Sequence, residues 1–173
     1  FAGRLSSEKG CDTLIQSLSM LPNDLPLIEC LIAGQGPLRP ALETQAQALS
    51  APDRPRVRFL GFRDDATRLM SGADLFVLPS RSEAASLALM EALASGLPSI
   101  VTAVGDSAQM VENGPAGVSI PPNDPAALAQ AMARLLSDEP LRRRMSAAAR
   151  RNAQAFDERE TARQVMQVYS QLL

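Results

Sequence analysis

The stretch LFVLPSRSEAASLALMEALASGLPSIVT, residues 75–102, decides the fold. It opens on an apolar run, residues 75–78, that reads as a buried strand. Pro79 and Ser80 begin a polar loop, and the spacing of Leu87, Met90 and Leu93 predicts a helix over residues 86–94. Gly96 and Pro98 stop that helix, because Gly accepts a left-handed cap and Pro cannot continue a helix. A second apolar strand follows over residues 99–103. The unit is strand, loop, helix, strand. Two carboxylates sit inside it, Glu83 in the loop and Glu91 on the second turn of the helix. The loop lies at the carboxyl end of a strand, where open α/β sheets bind ligands. Backbone amides near residues 85–88 lack intrahelical partners there and suit a phosphate. Spacing alone favours a plainer reading, with Glu83 a charge at a helix start and Glu91 a solvated helix residue.

Composition narrows the function. The 173 residues suffice for one domain with a sizeable core, and the balance of 46% hydrophobic to 21% charged residues is that of a globular chain. Seventeen basic residues against nineteen acids leave no basic field for nucleic acid. Aromatic content of 3% offers few bases a stacking platform. There is no histidine, which removes Ser-His-Asp and Cys-His catalysis and most zinc sites. Cys11 and Cys30 show no CxxC spacing and read as reduced thiols of a cytosolic protein. No apolar run is long enough to span a bilayer.

The same alternation extends along the chain. Residues 1–5 read as the end of a strand whose start lies upstream, so a fragment of a longer protein is expected. A polar loop with Lys9 leads to an amphipathic helix over residues 11–21. An apolar strand over residues 27–33 runs into Gly34-Gln35-Gly36-Pro37 and a helix over residues 38–49. This G-x-G lacks the third glycine of a dinucleotide loop and reads as a tight turn. After a loop at residues 52–55, a strand at 57–60, a short helix at 64–71 and the central unit, a short helix ends near Glu112 and a last strand covers 117–120. Asp124 and Pro125 mark the N-cap and first position of a helix, and the chain stays helical to its end. Arg142, Arg143, Arg144, Arg150 and Arg151 form a solvated face, and Val165, Val168, Tyr169 and Leu172 are available for packing.

About six strands alternating with helices predict an α/β fold with a Rossmann-like, doubly wound parallel sheet followed by C-terminal helices. Right-handed crossovers gather Arg4, Lys9, Gly34, Gly36, Glu83, Gly105 and Asp106 along one edge. Two cations beside a helix N-terminus suit a diphosphate, and a carboxylate suits the paired hydroxyls of a sugar or ribose. The combination points to a nucleotide-diphosphate sugar.

Taken in order, GRLSSEKG, IAGQGPLRP, VRFLGF, ADLFVLPSRSE, the E-x7-E pair, EALASGLPSIVT, VENGPAG and PPNDPAALAQAM resemble the C-terminal half of a group 1, GT-B-fold retaining glycosyltransferase of family four. The resemblance implies that residues 1–173 are one donor-binding domain, half of a GT-B fold. It implies that Arg4 and Lys9, near Gly3, bind the donor diphosphate. Glu83 would lie against the donor sugar and Glu91 would bind the ribose. Backbone groups at Ser86 and Leu87 would hold the distal phosphate, and Gly34, Phe62 and Arg63 would line the nucleotide. The catalytic set so implied is Arg4, Lys9 and Glu83, with no metal and no cofactor. The partner is a UDP-, GDP- or ADP-sugar, together with an N-terminal acceptor domain absent from this chain. Any membrane contact, at the inner face of the cytoplasmic membrane, would pass through that half. The role implied is surface glycan or lipopolysaccharide synthesis; a degenerate binding module without transfer activity is the alternative. Two departures from the family pattern stand out. Ala84-Ala85-Ser86 replaces a Gly-Phe-Gly-like run, and Asp106 and Gln109 stand in a Gly-Gly-x-x-Glu segment.

Overall fold

A computed structural model describes residues 1–49, 55–156 and 158–172. Within them lie five strands: β1 (Glu29–Ala33), β2 (Arg56–Gly61), β3 (Phe76–Leu78), β4 (Ser99–Thr102) and β5 (Gly117–Ile120). All pair in parallel, β1 with β2, and β3 through β4 to β5. The expected first strand is reduced to a single bridge. Gly3 donates to Ala33 O at 2.9 Å, and the Ala33 amide donates to Phe1 O at 2.9 Å, which is parallel pairing in its shortest form. Phe1 and Ala2 line an apolar seam with Leu31, Ala33, Leu75 and Phe76, so this segment runs between the two strand groups.

Helices α1 (Cys11–Leu18), α2 (Arg39–Gln47), α3 (Ala66–Ser71), α4 (Leu87–Ala94), α5 (Ser107–Glu112) and α6 (Pro125–Ser137) alternate with the strands. Helices α7 (Glu139–Ala153) and α8 (Glu158–Leu172) close the chain, as the sequence predicts. The central strands β3 and β4 are buried at every residue. This is why they read as continuous apolar runs rather than alternating ones. Their two faces feed separate cores. Phe76, Leu78 and Val101 pack with Leu89 and Leu93 of α4 and with Ala148 and Ala149 of α7. On the opposite face Val77 and Ile100 pack with Leu14, Leu18, Leu128 and Leu135 of α1 and α6.

Three sequence expectations shift. Helix α1 stops at Leu18 rather than residue 21. Ser17 and Ser19 turn their hydroxyls back onto the carbonyls of Leu14 and Gln16, both at 2.7 Å, and the chain closes in i→i+3 turns instead. Leu21 is still buried. The arginines of α7 are not all a free solvated face. Arg142 donates to the terminal carbonyls Leu135 O and Leu136 O of α6, both at 2.7 Å, and Arg143 pairs with Glu139. On α8, Val165, Val168 and Tyr169 are exposed rather than packed. The Leu172 side chain and residues 52–54 of the expected loop lie outside the described residues. Among those described, no helix is long and apolar enough to cross a membrane.

Candidate functional site

The site grows from two short loops at the carboxyl edge of the sheet. One follows the Phe1–Leu5 segment: a 3-10 turn, Ser7–Lys9, ending at Gly10. The other follows β3 and runs from Pro79 to Ser86. Gly10 joins them. Its φ of +63° is left-handed, and a Cβ there would lie 2.0 Å from Pro79 O, so only glycine fits. The close approach lets Lys9 Nζ donate to Glu83 Oε1, across 74 residues of sequence. Ser80 Oγ donates to the same carboxylate oxygen at 3.0 Å.

This arrangement answers an electrostatic problem. The Glu83 side chain is only 6% exposed, and a carboxylate so far from water is costly unless paired and hydrogen-bonded. Lys9 supplies the charge and Ser80 the second bond. Lys9 itself is 26% exposed, and an ammonium carries three protons, so two remain for an anion arriving from solvent.

The loop after β4 completes the floor. Gly105, at φ +52°, brings its backbone against Glu83 and Ala84; a Cβ there would lie 2.1 Å from Glu83 O. The Asp106 amide donates to Ala84 O at 3.2 Å. Beside this floor α4 begins. Ser86 is its N-cap, with Oγ accepting from the Leu89 amide at 3.3 Å. The first helical bonds run from Leu89 and Met90 to Ser86 O, which leaves the amides of Leu87 and Ala88 without an intrahelical acceptor. The partial positive charge of those amides lies next in the chain to the Glu83 loop.

The remaining predicted residues stand in different states. Arg4 is exposed and, among the described residues, forms no ion pair; its neighbours Gly3 and Leu5 donate to Ala33 O and Gln35 O, both at 2.9 Å. Gly34 donates to Gly61 O at 2.7 Å, and Leu38 donates to Leu5 O at 3.1 Å. The G-x-G segment is thus a turn stitched to its neighbours. Phe62 is 72% exposed at the end of β2. Arg63 is held in a bidentate pair with Asp65, both bonds 2.7 Å, which keeps the Asp65 carboxyl below its usual range. Leu87 and Glu91 are exposed on α4.

Sequence reasoning missed Ser80, Arg81 and Asp12. Ser80 stands three residues before Glu83, the S-x-x-E spacing of a capping box, and that signal was available. Here it joins two side chains instead of closing a helix end. Thr102 of β4 donates to Ser80 O and fastens the loop to the sheet. Arg81 binds Asp12 with two bonds, at 2.9 and 2.7 Å. No local signal announces that pair, because 69 residues separate its members. Arg81 holds the Asp12 carboxyl below the usual carboxylate range.

A family profile described as "Glycosyl transferases group 1" matches residues 1–152. The chain is 33% identical, over 99% of its length, to the D-inositol 3-phosphate glycosyltransferase of Xylanimonas cellulosilytica, of which it covers 41%. It is 35% identical over 98% of its length to the glycogen synthase of Mycobacterium tuberculosis, again covering 41%. It spans about two fifths of the length of these curated relatives. Among solved structures, Anabaena HepE in complex with UDP and glucose superposes with a TM-score of 0.87 at 27% identity, over 98% of this chain and 47% of that one. WaaG, a glycosyltransferase involved in lipopolysaccharide biosynthesis, superposes with a TM-score of 0.77 at 32% identity, over 88% of this chain and 41% of that one.

Proposed function

Because the chain belongs to the group 1 glycosyl transferases, we propose that it is the donor-binding half of a retaining glycosyltransferase. The donor is a nucleotide-diphosphate sugar, with UDP, GDP and ADP as the candidate nucleotides. The observation that carries this reading is the Lys9–Glu83 pair at the carboxyl edge of the sheet, beside the free amides of α4. Lys9 and the exposed Arg4 receive the diphosphate, with the Leu87 amide and the Ser86 end of α4 on the distal phosphate. Glu83 faces the sugar, and Glu91 accepts hydrogen bonds from the ribose hydroxyls. The backbone at Phe62 and Arg63 faces the base, and Gly3 and Gly34 leave room for the nucleotide. When the bond from the anomeric carbon to the diphosphate breaks, its electron pair leaves with the phosphate. Arg4, Lys9 and the start of α4 stabilise that developing charge.

Acceptor recognition belongs, in this reading, to a second, N-terminal half, so this chain alone binds donor without turnover. Similarity to WaaG supports a role in surface glycan or lipopolysaccharide synthesis. The departures Ala84-Ala85-Ser86, Asp106 and Gln109 support the competing reading of a degenerate binding or structural module without transfer activity.

Calorimetric titration with UDP, GDP and ADP separates the two. A donor-binding half prefers one nucleotide. Lys9→Ala then weakens binding by about 1.5–3 kcal/mol, the scale of a charge-assisted bond. Unchanged affinity in Lys9→Ala refutes the site assignment. Absence of binding to all three nucleotides in the complete protein, shown to be folded, favours the degenerate module.

A further inference from the structure

Arg81 lies in the same loop as Glu83, two residues before it, and reaches both sides of Lys9. Its Nη1 donates to Ser7 O at 2.6 Å and to Asp12 Oδ1 at 2.9 Å. Its Nη2 donates to Asp12 Oδ2 at 2.7 Å and to Thr13 Oγ1 at 3.2 Å. Its Nε donates to Asn123 Oδ1, just before α6, and its own amide donates to Glu8 O at 2.6 Å. Ser7 and Glu8 immediately precede Lys9; Asp12 and Thr13 open α1 just after it. One planar guanidinium therefore spans the turn that carries Lys9, while its backbone carries Glu83.

Two physical points give this arrangement a role beyond a surface ion pair. First, the fork of Arg presents its donors in a fixed plane, so the two loops cannot slide past each other without breaking several charge-assisted bonds together. Second, the charge of Arg81 is already matched by Asp12, so it is not a further free cation for a phosphate. What it can alter is where Lys9 stands relative to Glu83. A preformed spacing spares the ligand the cost of ordering two loops when it binds.

We propose that Arg81 is a positioning residue for donor binding: by bracketing Lys9 and carrying Glu83, it sets the ammonium where the diphosphate meets it. This rests on the donor-site reading above. Asp12 is the anchor of the clamp and Asn123, at φ +58°, its third support.

The test is a double-mutant cycle on the complete protein, with UDP as the probe and a thermal melt of each variant as the control for folding. Arg81→Met is expected to weaken UDP binding roughly tenfold, the scale of one weakened charge-assisted hydrogen bond. In a Lys9→Ala background the same substitution is expected to cost far less, because the group it positions is gone. Arg81→Lys keeps the charge but cannot span Asp12, Ser7 and Asn123 at once. It is expected to lose UDP affinity while folding normally, and it carries the test if Arg81→Met does not fold. Wild-type UDP affinity in Arg81→Lys overturns the proposal, and so do equal losses from Arg81→Met in both backgrounds. Unchanged affinity in Lys9→Ala is a different failure, that of the donor-site reading itself.

Discussion

Replacing Gly105 with alanine tests whether the loop after β4 holds Glu83 in place. The added Cβ would lie 2.1 Å from Glu83 O and 2.8 Å from Ala84 O, where ordinary contact begins near 3.4 Å. Both obstacles are backbone, so no side chain can swing aside. The loop must retreat by more than an ångström, and the Asp106 amide then loses Ala84 O as its acceptor. The φ of +52° adds a second penalty, about 1–2 kcal/mol for an L-residue in the left-handed region. With the lost hydrogen bond at about 1 kcal/mol, the stability cost comes to roughly 2–3 kcal/mol. Because the displaced backbone is that of Glu83, donor affinity should fall as well, by about 1.5–3 kcal/mol, the scale of one charge-assisted hydrogen bond. Urea denaturation measures the first effect and titration with the preferred nucleotide sugar the second. Gly72→Ala is the control. Its added Cβ would meet only Leu69 O, at 3.7 Å, and its φ of −102° suits an L-residue, so it should raise stability by about 0.4–1 kcal/mol rather than lower it. Wild-type stability and donor affinity in Gly105→Ala would refute the claim that this approach supports the site.

Three further outcomes are expected. Glu91→Ala should shrink the preference for a normal nucleotide over its 2′,3′-dideoxy form by about 1 kcal/mol or more; a wild-type protein with no such preference refutes the ribose role. Burial pushes the Cys11 thiol up to about 12, so it should resist a thiol reagent at pH 8 in the native protein and react once urea unfolds it; rapid native labelling of Cys11 would contradict its buried position. The Asp12 carboxyl is held low by Arg81, so the stabilisation from this pair is fully present above the unfolded value near 3.9 and is lost as pH falls through the folded value. The difference in urea midpoint between wild type and Asp12→Asn should therefore be constant from pH 5 to 7 and narrow toward pH 3. A difference that widens on acidification would reverse the sign of the coupling.

The sequence was most legible where local chemistry and burial agree. β3 and β4 are covered on both faces, so their residues form apolar runs that can be read without knowing the partners. The stops and caps of α4 and α6 are also local. Gly96 closes the turn after α4 in the left-handed region, and Ser86 and Asp124 cap the amides of residues three places on. The end of α1 was less legible, because leucine spacing carried the pattern past the serines that divert the backbone. The first strand was overestimated because an apolar start does not tell how many bonds its neighbour returns.

By itself the sequence determined the class of fold, the order of its elements and the edge on which Lys9, Glu83 and Gly105 would meet. It did so because periodicity, caps and right-handed crossovers depend on neighbouring residues and on chain handedness. Only the tertiary structure decided that Lys9 pairs directly with Glu83, that Arg63 is engaged by Asp65 while Arg4 stands exposed, and that Arg81 grips Asp12. The Lys9–Glu83 and Arg81–Asp12 pairs join loops about seventy residues apart, and they form because Gly10 lets two backbones approach to a distance that no periodicity records.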